Sequence, residues 1–414
     1  MSAAPRPERL ATSAGDRARS ADDGTVADLL ERARVIARDV AAVYAVEVDR
    51  EARFPAECLA ALKREGLLSA VVPRSLGGAG LSLGEVATIC TILGRACASS
   101  AMIYAMHVIQ VESIVNHRGD VPELDDYLRA VVREQRLIAS VTSEVGAGGD
   151  LRRSITHVAS EPDRGFRLEK AATTSSYCEH ADDLLLSARR SADAAPNDQV
   201  LVLLPRGDFE LHDVGDWNTL GMRGTCSPPA RVVGRGADWQ ILPTPFRDVA
   251  AATMVPTSHT LWAAVWLGLA EDACDRARRH LQAKSRKDPD ACAMAASRLA
   301  TLATRLGSMR AMLDRELAVY EARARTDAEA AAEPAAVLAT NDLKIAVSEG
   351  IVDVVHGAMQ VIGIEAYKNE GPLSLGRHLR DAHSAALMIN NDRIRSTNAD
   401  LLLVYKGGLA RERA

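Results

Sequence analysis

The sequence predicts a mainly α chain with a central β domain: an N-terminal helical domain, a middle β-barrel-like domain and a C-terminal four-helix bundle. Three observations lead there. The 414 residues are 47% hydrophobic but only 4% aromatic, and their long Ala-, Leu- and Arg-rich runs favour helix over sheet. Apolar residues recur at helical spacing through the first and last parts of the chain. Between them lie short β-like segments separated by Gly, Pro, Asp and Asn.

Residues 1–22 read as a disordered tail, and 23–136 as the helical domain. Val26–Tyr44 carries a helical stripe (Val26, Leu29, Leu30, Ala33, Ile36, Ala37, Val40), with Asp22 and Asp23 beside its positive N-terminal end. Pro55–Glu65 fits a second helix, with Pro in its first turn and Gly66 ending it. After a Gly-rich loop at 71–80, Leu83–Met106 is apolar on most sides and reads as one buried helix. Residues 137–246 read as an antiparallel sheet domain. Its strands are Leu137–Thr142, Phe166–Lys170, Asp183–Ser187 and Gln199–Leu204, with weaker ones at Asp208–Asp216 and Ala237–Pro243. Residues 247–414 form the bundle, from Leu261–Ser285, Asp288–Ala324, Val337–Gly363 and a shorter fourth helix from Arg377 to about Leu403.

Composition removes several classes of function. A net charge of −5 gives no electrostatic footprint for nucleic acid. The seven cysteines (Cys58, Cys90, Cys97, Cys178, Cys226, Cys274, Cys292) include no Cys-x-x-Cys pair and no His partners at metal spacing. No metal site is expected, and buried thiols in a reducing, cytoplasmic setting fit best. No run approaches 18 apolar residues, so no membrane span is expected. The first 22 residues lack an apolar core and carry Glu8, Asp16 and Asp22, unlike a signal or transit peptide.

Chemistry concentrates in a few strings. Ser143-Glu-Val-Gly-Ala-Gly-Gly-Asp150 is similar to the Thr-Glu-Pro-x-Ala-Gly-Ser-Asp string of the acyl-CoA dehydrogenase family. Thr219-Leu-Gly-Met-Arg-Gly-Thr225 resembles the family's Lys-x-Gly-x-Arg-x-Ser/Thr, and Ala181-Asp182 leads to Arg189 as an Ala-Asp pair does there. Gln360-Val-Ile-Gly-Ile-Glu-Ala-Tyr367, Pro372 and Arg380-Asp381 follow in the family's order. The resemblance runs from about residue 25 nearly to the end. It implies an FAD flavoprotein that oxidises an acyl thioester across Cα–Cβ, with hydride passing to flavin N5.

By that resemblance, Ser140, Val141, Thr142, Ser143 and Gly149 line one side of the flavin, while Thr174, Ser175 and Ser176 lie against the ring. Thr174 and Ser140 stand where the family usually has a Trp and a Tyr. Arg286 would meet the FAD diphosphate, which Gln360 and Gly363 would cradle across a subunit interface, so a homodimer or homotetramer is implied. Outside that ordered match, Gly146–Gly149 reads as an ordinary β-turn and Arg286 as a solvated charge at a helix end.

The family's catalytic Glu has no counterpart. Counting from Arg380-Asp381 it falls on Ile389, and its alternative place, at the start of the first bundle helix, falls on Ser258. Neither can take an α-proton. The ionisable residues in reach along the chain are His259, then Asp392 and His383. His259 leads because imidazole titrates near neutrality, and it reads equally as a histidine that only hydrogen-bonds. Asp392 also reads as a structural partner of Arg393 or Arg395. Three functions follow from the resemblance. One is a dehydrogenase of an unusual acyl thioester, amino-acyl or hydroxy-acyl, carried by CoA or an acyl carrier protein, with an electron-acceptor flavoprotein. A second is a flavin monooxygenase using O2, and a third is a non-catalytic scaffold. Retention of Arg286, Gln360 and Gly363 favours the first.

Overall fold

The computed structural model describes residues 23–148, 150–161, 165–288, 292–326 and 333–407; the expected tail and the Asp22 charge lie outside them. The helical domain runs through α1 (Asp23–Ile36), a π-turn at Ala37–Ala41, α2 (Ala42–Glu51), α3 (Ala56–Arg64), α4 (Leu83–Ala96), α5 (Ala98–His117) and α6 (Pro122–Glu134). The Val26 stripe is one side of α1 and its π-turn, with Leu29, Ala33, Ile36 and Ala37 buried. Pro55 precedes α3 and Gly66 follows it at φ 74°, as the helix signals require.

The predicted Leu83–Met106 helix is two helices. Ser82 and Glu85 close a capping box at the start of α4, and Cys97 in extended conformation (φ −150°, ψ 108°) separates α4 from α5. No Gly or Pro marks that break. The middle segment contains β1 (Ile138–Val141), β2 (Ala159–Glu161), β3 (Gly165–Ala172), β4 (Asp183–Arg189), β5 (Gln199–Pro205), β6 (Phe209–His212) and β7 (Ala230–Gly236). They form two sheets, ordered β1-β4-β5 and β2-β3-β7-β6. Among the described residues no closed barrel exists, and β1 pairs with β4 in parallel. Parallel pairing needs a long crossover, and the chain supplies one by making β2 and β3 between them. The expected strand at Ala237–Pro243 is a 3-10 turn (Asp238–Gln240) plus one bridge from Ile241 to Val202. The strand that composition hides is β7, whose Gly234 sits beneath Leu204. A Cβ there would lie 2.4 Å from Leu204 Cδ1, so glycine lets the two sheets press together.

The last segment holds α7 (Phe246–Val249), α8 (Val255–Ser285), α9 (Ala293–Thr326), α10 (Pro334–Ile362), α11 (Ile364–Tyr367), α12 (Gly376–Ser384) and α13 (Asn391–Val404). The predicted fourth bundle helix is therefore α12 and α13, parted by residues 385–390. Ile389 sits there at φ 48° and Asn390 caps α13 by accepting from the Asp392 amide at 2.8 Å. Helix α8 is the hub, packing on α4, α9 and α10. It crosses α4 closely: Cβ atoms at Gly94 and Gly268 would fall 2.5 Å from Val265 O and 2.3 Å from Thr91 O. By length and composition α10 could span a bilayer, yet half of its apolar window is buried within the protein. All seven cysteines are free, and six are buried. Among the described residues no cluster of His, Cys, Asp and Glu forms a metal site.

Candidate active site

The flavin-side strings meet at the end of β1. Ser140 and Val141 pair with Leu185 and Leu186 of β4, and the chain leaves the sheet at Thr142. Ser143 Oγ then donates to Thr174 O (2.7 Å) and accepts from Thr174 N (3.0 Å), locking the two segments. Ser175 N bonds Pro228 O at 2.9 Å. Its buried Oγ has no hydrogen-bond partner of good geometry, the Cys178 thiol being its neighbour. Ser176 accepts from Ser227 Oγ at 2.9 Å, and Ser227 also meets Thr225 at 3.0 Å. Segments 140–143, 174–176 and 225–228 are thus stitched together, with Thr174 exposed and an orphaned hydroxyl among them. Such a polar edge fits a flat, hydrogen-bonding ring. Gly149 lies outside the described residues.

Glu144 fixes this edge, a role the sequence reading missed. Only 5% exposed, it accepts from Ser154 Oγ (2.7 Å), Thr156 N (2.6 Å) and Ile155 N (3.1 Å), and lies 3.4 Å from Lys170 Nζ. Those donors and the ammonium hold its pKa below the ordinary value against its burial. Lys170, fully buried, is pushed down to about 8 by desolvation and donates to Ser187 O at 2.7 Å. A Glu three residues past β1 and a lone Lys in an alternating strand were the available signals.

The second string packs on the Arg-Asp pair. Asp381 accepts from Met222 N at 2.6 Å, and a Cβ on Gly221 would stand 2.2 Å from Arg380 O. Burial pushes the Asp381 carboxyl up to about 6, opposed by Arg377. Arg380 pairs with Asp49 of α2, so one junction ties all three parts of the chain. Arg393 of α13 donates to Gly148 O, which sets the Gly-rich loop against the bundle.

Within the bundle, the two positions of the missing acid are Ser258, whose Oγ bonds Val255 O at 2.8 Å, and Ile389. His259 is 2% exposed, and neither ring nitrogen has a hydrogen bond of good geometry, the backbone of Thr340 being its neighbour. Desolvation first, then the nearby Lys344 charge, push its pKa down to about 3, with the Thr340 backbone opposing. It is neutral at pH 7. Trp262 and Trp266 follow on the same side of α8, with ring centroids 6.1 Å from His259 to Trp262 and 6.4 Å between the indoles. Both indole N–H groups also lack acceptors. Each orphaned buried donor costs about 1–3 kcal/mol, so a row of them is unusual in a merely structural core.

Facing them on α10 is Lys344, fully buried. Its Nζ donates to Ile389 O (2.8 Å) and Asn391 Oδ1 (2.6 Å) and stands 5.8 Å from the Trp266 ring centroid. Burial lowers its pKa to about 8. Asn391 passes the link to Glu349 at 2.9 Å, which pairs with Arg395. The segment bearing Ile389 is thus pinned beside His259 by a lysine that was not anticipated. Its one signal was a charge inside the apolar run of Leu343-Lys-Ile-Ala-Val347. The other candidate bases stand differently. Asp392 is exposed and 3.4 Å from Arg395 in the first turn of α13, and His383 is exposed on the last turn of α12.

The diphosphate candidates lie on the bundle surface. Arg286 is exposed at the end of α8. Gln360, also exposed, meets His356 at 2.9 Å on the rim of an open groove of about 570 Å³ between α9 and α10, which Arg298 and Arg305 also line. Gly363 ends α10 at φ 84° with open space where a Cβ would be.

The N-terminal domain model of the acyl-CoA dehydrogenases matches residues 25–135, and their C-terminal domain model matches 260–392. The chain is 25% identical over 355 residues to an amino sugar nitrososynthase of Streptomyces peucetius, covering 82% of this chain and 84% of that one. It is 25% identical to a cyclohexane-1-carbonyl-CoA dehydrogenase of Geobacter metallireducens, covering 85% and 90%. Its fold matches butyryl-CoA dehydrogenase from Megasphaera elsdenii with a TM-score of 0.78 at 18% identity, over 93% of this chain and 99% of that one. KijD3, solved with FMN and dTDP-3-amino-2,3,6-trideoxy-4-keto-3-methyl-D-glucose, gives 0.78 at 22%, over 94% and 97%. Two matching models that together span more than half of the chain, in the order the strings require, make it a member of the acyl-CoA dehydrogenase family.

Proposed function

We propose that this member of a flavin oxidoreductase family is a flavin-dependent monooxygenase rather than an acyl-thioester dehydrogenase. One observation carries the reading: no carboxylate stands at either place of the α-proton acceptor, Ile389 or Ser258. Of the ionisable groups beside them, Lys344 already donates to Ile389 O and Asn391 Oδ1, and His259 is held neutral with its pKa pushed down to about 3. Such an imidazole is a poor acceptor for a carbon-bound proton at neutral pH. Oxygen transfer needs no α-proton acceptor, and the relatives of this chain include a probable FMNH2-dependent monooxygenase of Pseudomonas putida, 26% identical over 61% of this chain and 63% of that one, as well as the nitrososynthase.

When bound, reduced flavin supplies the two electrons by which O2 yields one oxygen atom to the substrate and one to water. Ser143, Thr174 and Ser176 orient the ring edge through the stitched segments. Glu144 and Lys170 hold that edge rigid from beneath. On the other side, Trp262, Trp266 and His259 exclude water and offer fixed hydrogen-bonding groups to substrate. By the family resemblance, Arg286, Gln360 and Gly363 would serve an FAD diphosphate in an oligomer.

A flavin reductase with NADPH and 18O2 tests the proposal, using amino-sugar nucleotides and acyl-CoA thioesters as substrates. Incorporation of one labelled atom per turnover is expected. Stoichiometric anaerobic bleaching of bound flavin by an acyl thioester, without added reductase, would refute it in favour of dehydrogenation. Acid release of the bound flavin identifies it as FAD or FMN.

A further inference from the structure

We infer that the α8–α10 face is a buried carboxylate-binding subsite, in which Lys344, Trp266, Trp262 and His259 receive an anionic group of the substrate. The inference deepens the proposed function by naming the substrate class, and it rests on the reading that this face is the substrate side.

The face is rich in donors and poor in acceptors. Trp262 Nε1 and Trp266 Nε1 are donors only, both unpaired, and neutral His259 beside them meets only the backbone of Thr340. All three side chains are more than nine-tenths buried. Lys344 adds a buried ammonium whose two bonds go to neutral oxygens, Ile389 O and Asn391 Oδ1. Among the described residues, no carboxylate lies within ion-pair distance of it. The nearest negative charge acting on it, Glu349, is already engaged by Arg395 and Asn391. Buried cations are normally paired, so this one lacks the partner its surroundings demand.

An apolar acyl chain would leave both indole N–H groups without acceptors and the ammonium without a counter-charge. A neutral polar group would serve the indoles but leave the ammonium uncompensated. A carboxylate meets both needs: its two oxygens accept several donors at once, and its charge balances Lys344. Asn391, turned to Lys344 by its bonds to Ser348 and Glu349, keeps the ammonium in place while the third N–H remains for ligand.

The test is calorimetric titration of the flavin-loaded protein with hexanoate and with hexanamide, equal in length and differing in charge. Hexanoate is expected to bind at least tenfold tighter. Lys344→Met should abolish that preference. Trp266→Phe keeps the ring and deletes one donor, so it should weaken hexanoate about tenfold with little change for hexanamide; it decides the matter should Lys344→Met not fold. Equal binding of the two probes, no binding of either, or an unchanged hexanoate affinity in Trp266→Phe would overturn the inference. Because binding is read without turnover, a positive titration with failed oxygen incorporation sinks only the proposed reaction, and the reverse outcome sinks only the subsite.

Discussion

Replacing Glu144 with Ala should destabilise the protein by about 4 kcal/mol. The carboxylate accepts from Ser154 Oγ, Ile155 N and Thr156 N, and faces Lys170 at 3.4 Å in a site where the two side chains are 5% and 0% exposed. A hydrogen bond to a charged group contributes about 1.5–3 kcal/mol, and removing one member of a buried ion pair costs about 3–5 kcal/mol. These overlap, because Lys170 retains Ser187 O at 2.7 Å, so the middle of the ion-pair range is expected rather than the sum. Glu144→Gln keeps the shape and one acceptor oxygen and should lose about half as much. Urea unfolding followed by tryptophan fluorescence reads both. Pairing Glu144→Ala with Lys170→Met should return at least about 1 kcal/mol, since the ammonium then no longer needs a counter-charge. A loss under about 1 kcal/mol in Glu144→Ala would show that the loop is held by something else. Flavin retention should fall in step, because Ser143 adjoins Glu144.

Ser143→Ala removes both bonds to Thr174 and should raise the flavin dissociation constant about five- to tenfold, read by fluorescence titration of apoprotein. Gly221→Ala drives a Cβ to 2.2 Å from Arg380 O and should lower stability by about 1–3 kcal/mol or more, seen as a lower melting temperature. Asp381 supplies a pH signature. Its folded pKa, about 6 against 3.8, is raised, so the native state binds more protons between those values. Stability is therefore greatest below about pH 4 for this group and falls as pH rises through 6, by about 3 kcal/mol. Asp381→Asn should flatten that slope in unfolding measured from pH 4 to 7; an unchanged slope would assign it elsewhere.

Local sequence determined the helix–sheet–helix order and the family. Period, caps and glycines act between near neighbours, so Pro55, Gly66, the α1 stripe and the Ser143–Asp150 string were legible without coordinates. Breaks without a Gly or Pro were not: Cys97 carries no breaker, and the 385–390 interruption between α12 and α13 is marked only by the Asn390 cap. Residues of the site followed the same division. His259 could be singled out by its adjacency to Ser258, and the absent acid by counting from Arg380-Asp381. Lys344 could not, because it lies 85 residues from His259 in sequence and acquires its role only when α10 docks on α8. Glu144 and Lys170 likewise become a pair only where the two sheets meet. Tertiary structure alone decided which charges are buried and what faces them, since desolvation and Coulomb interaction depend on distance in space and not along the chain.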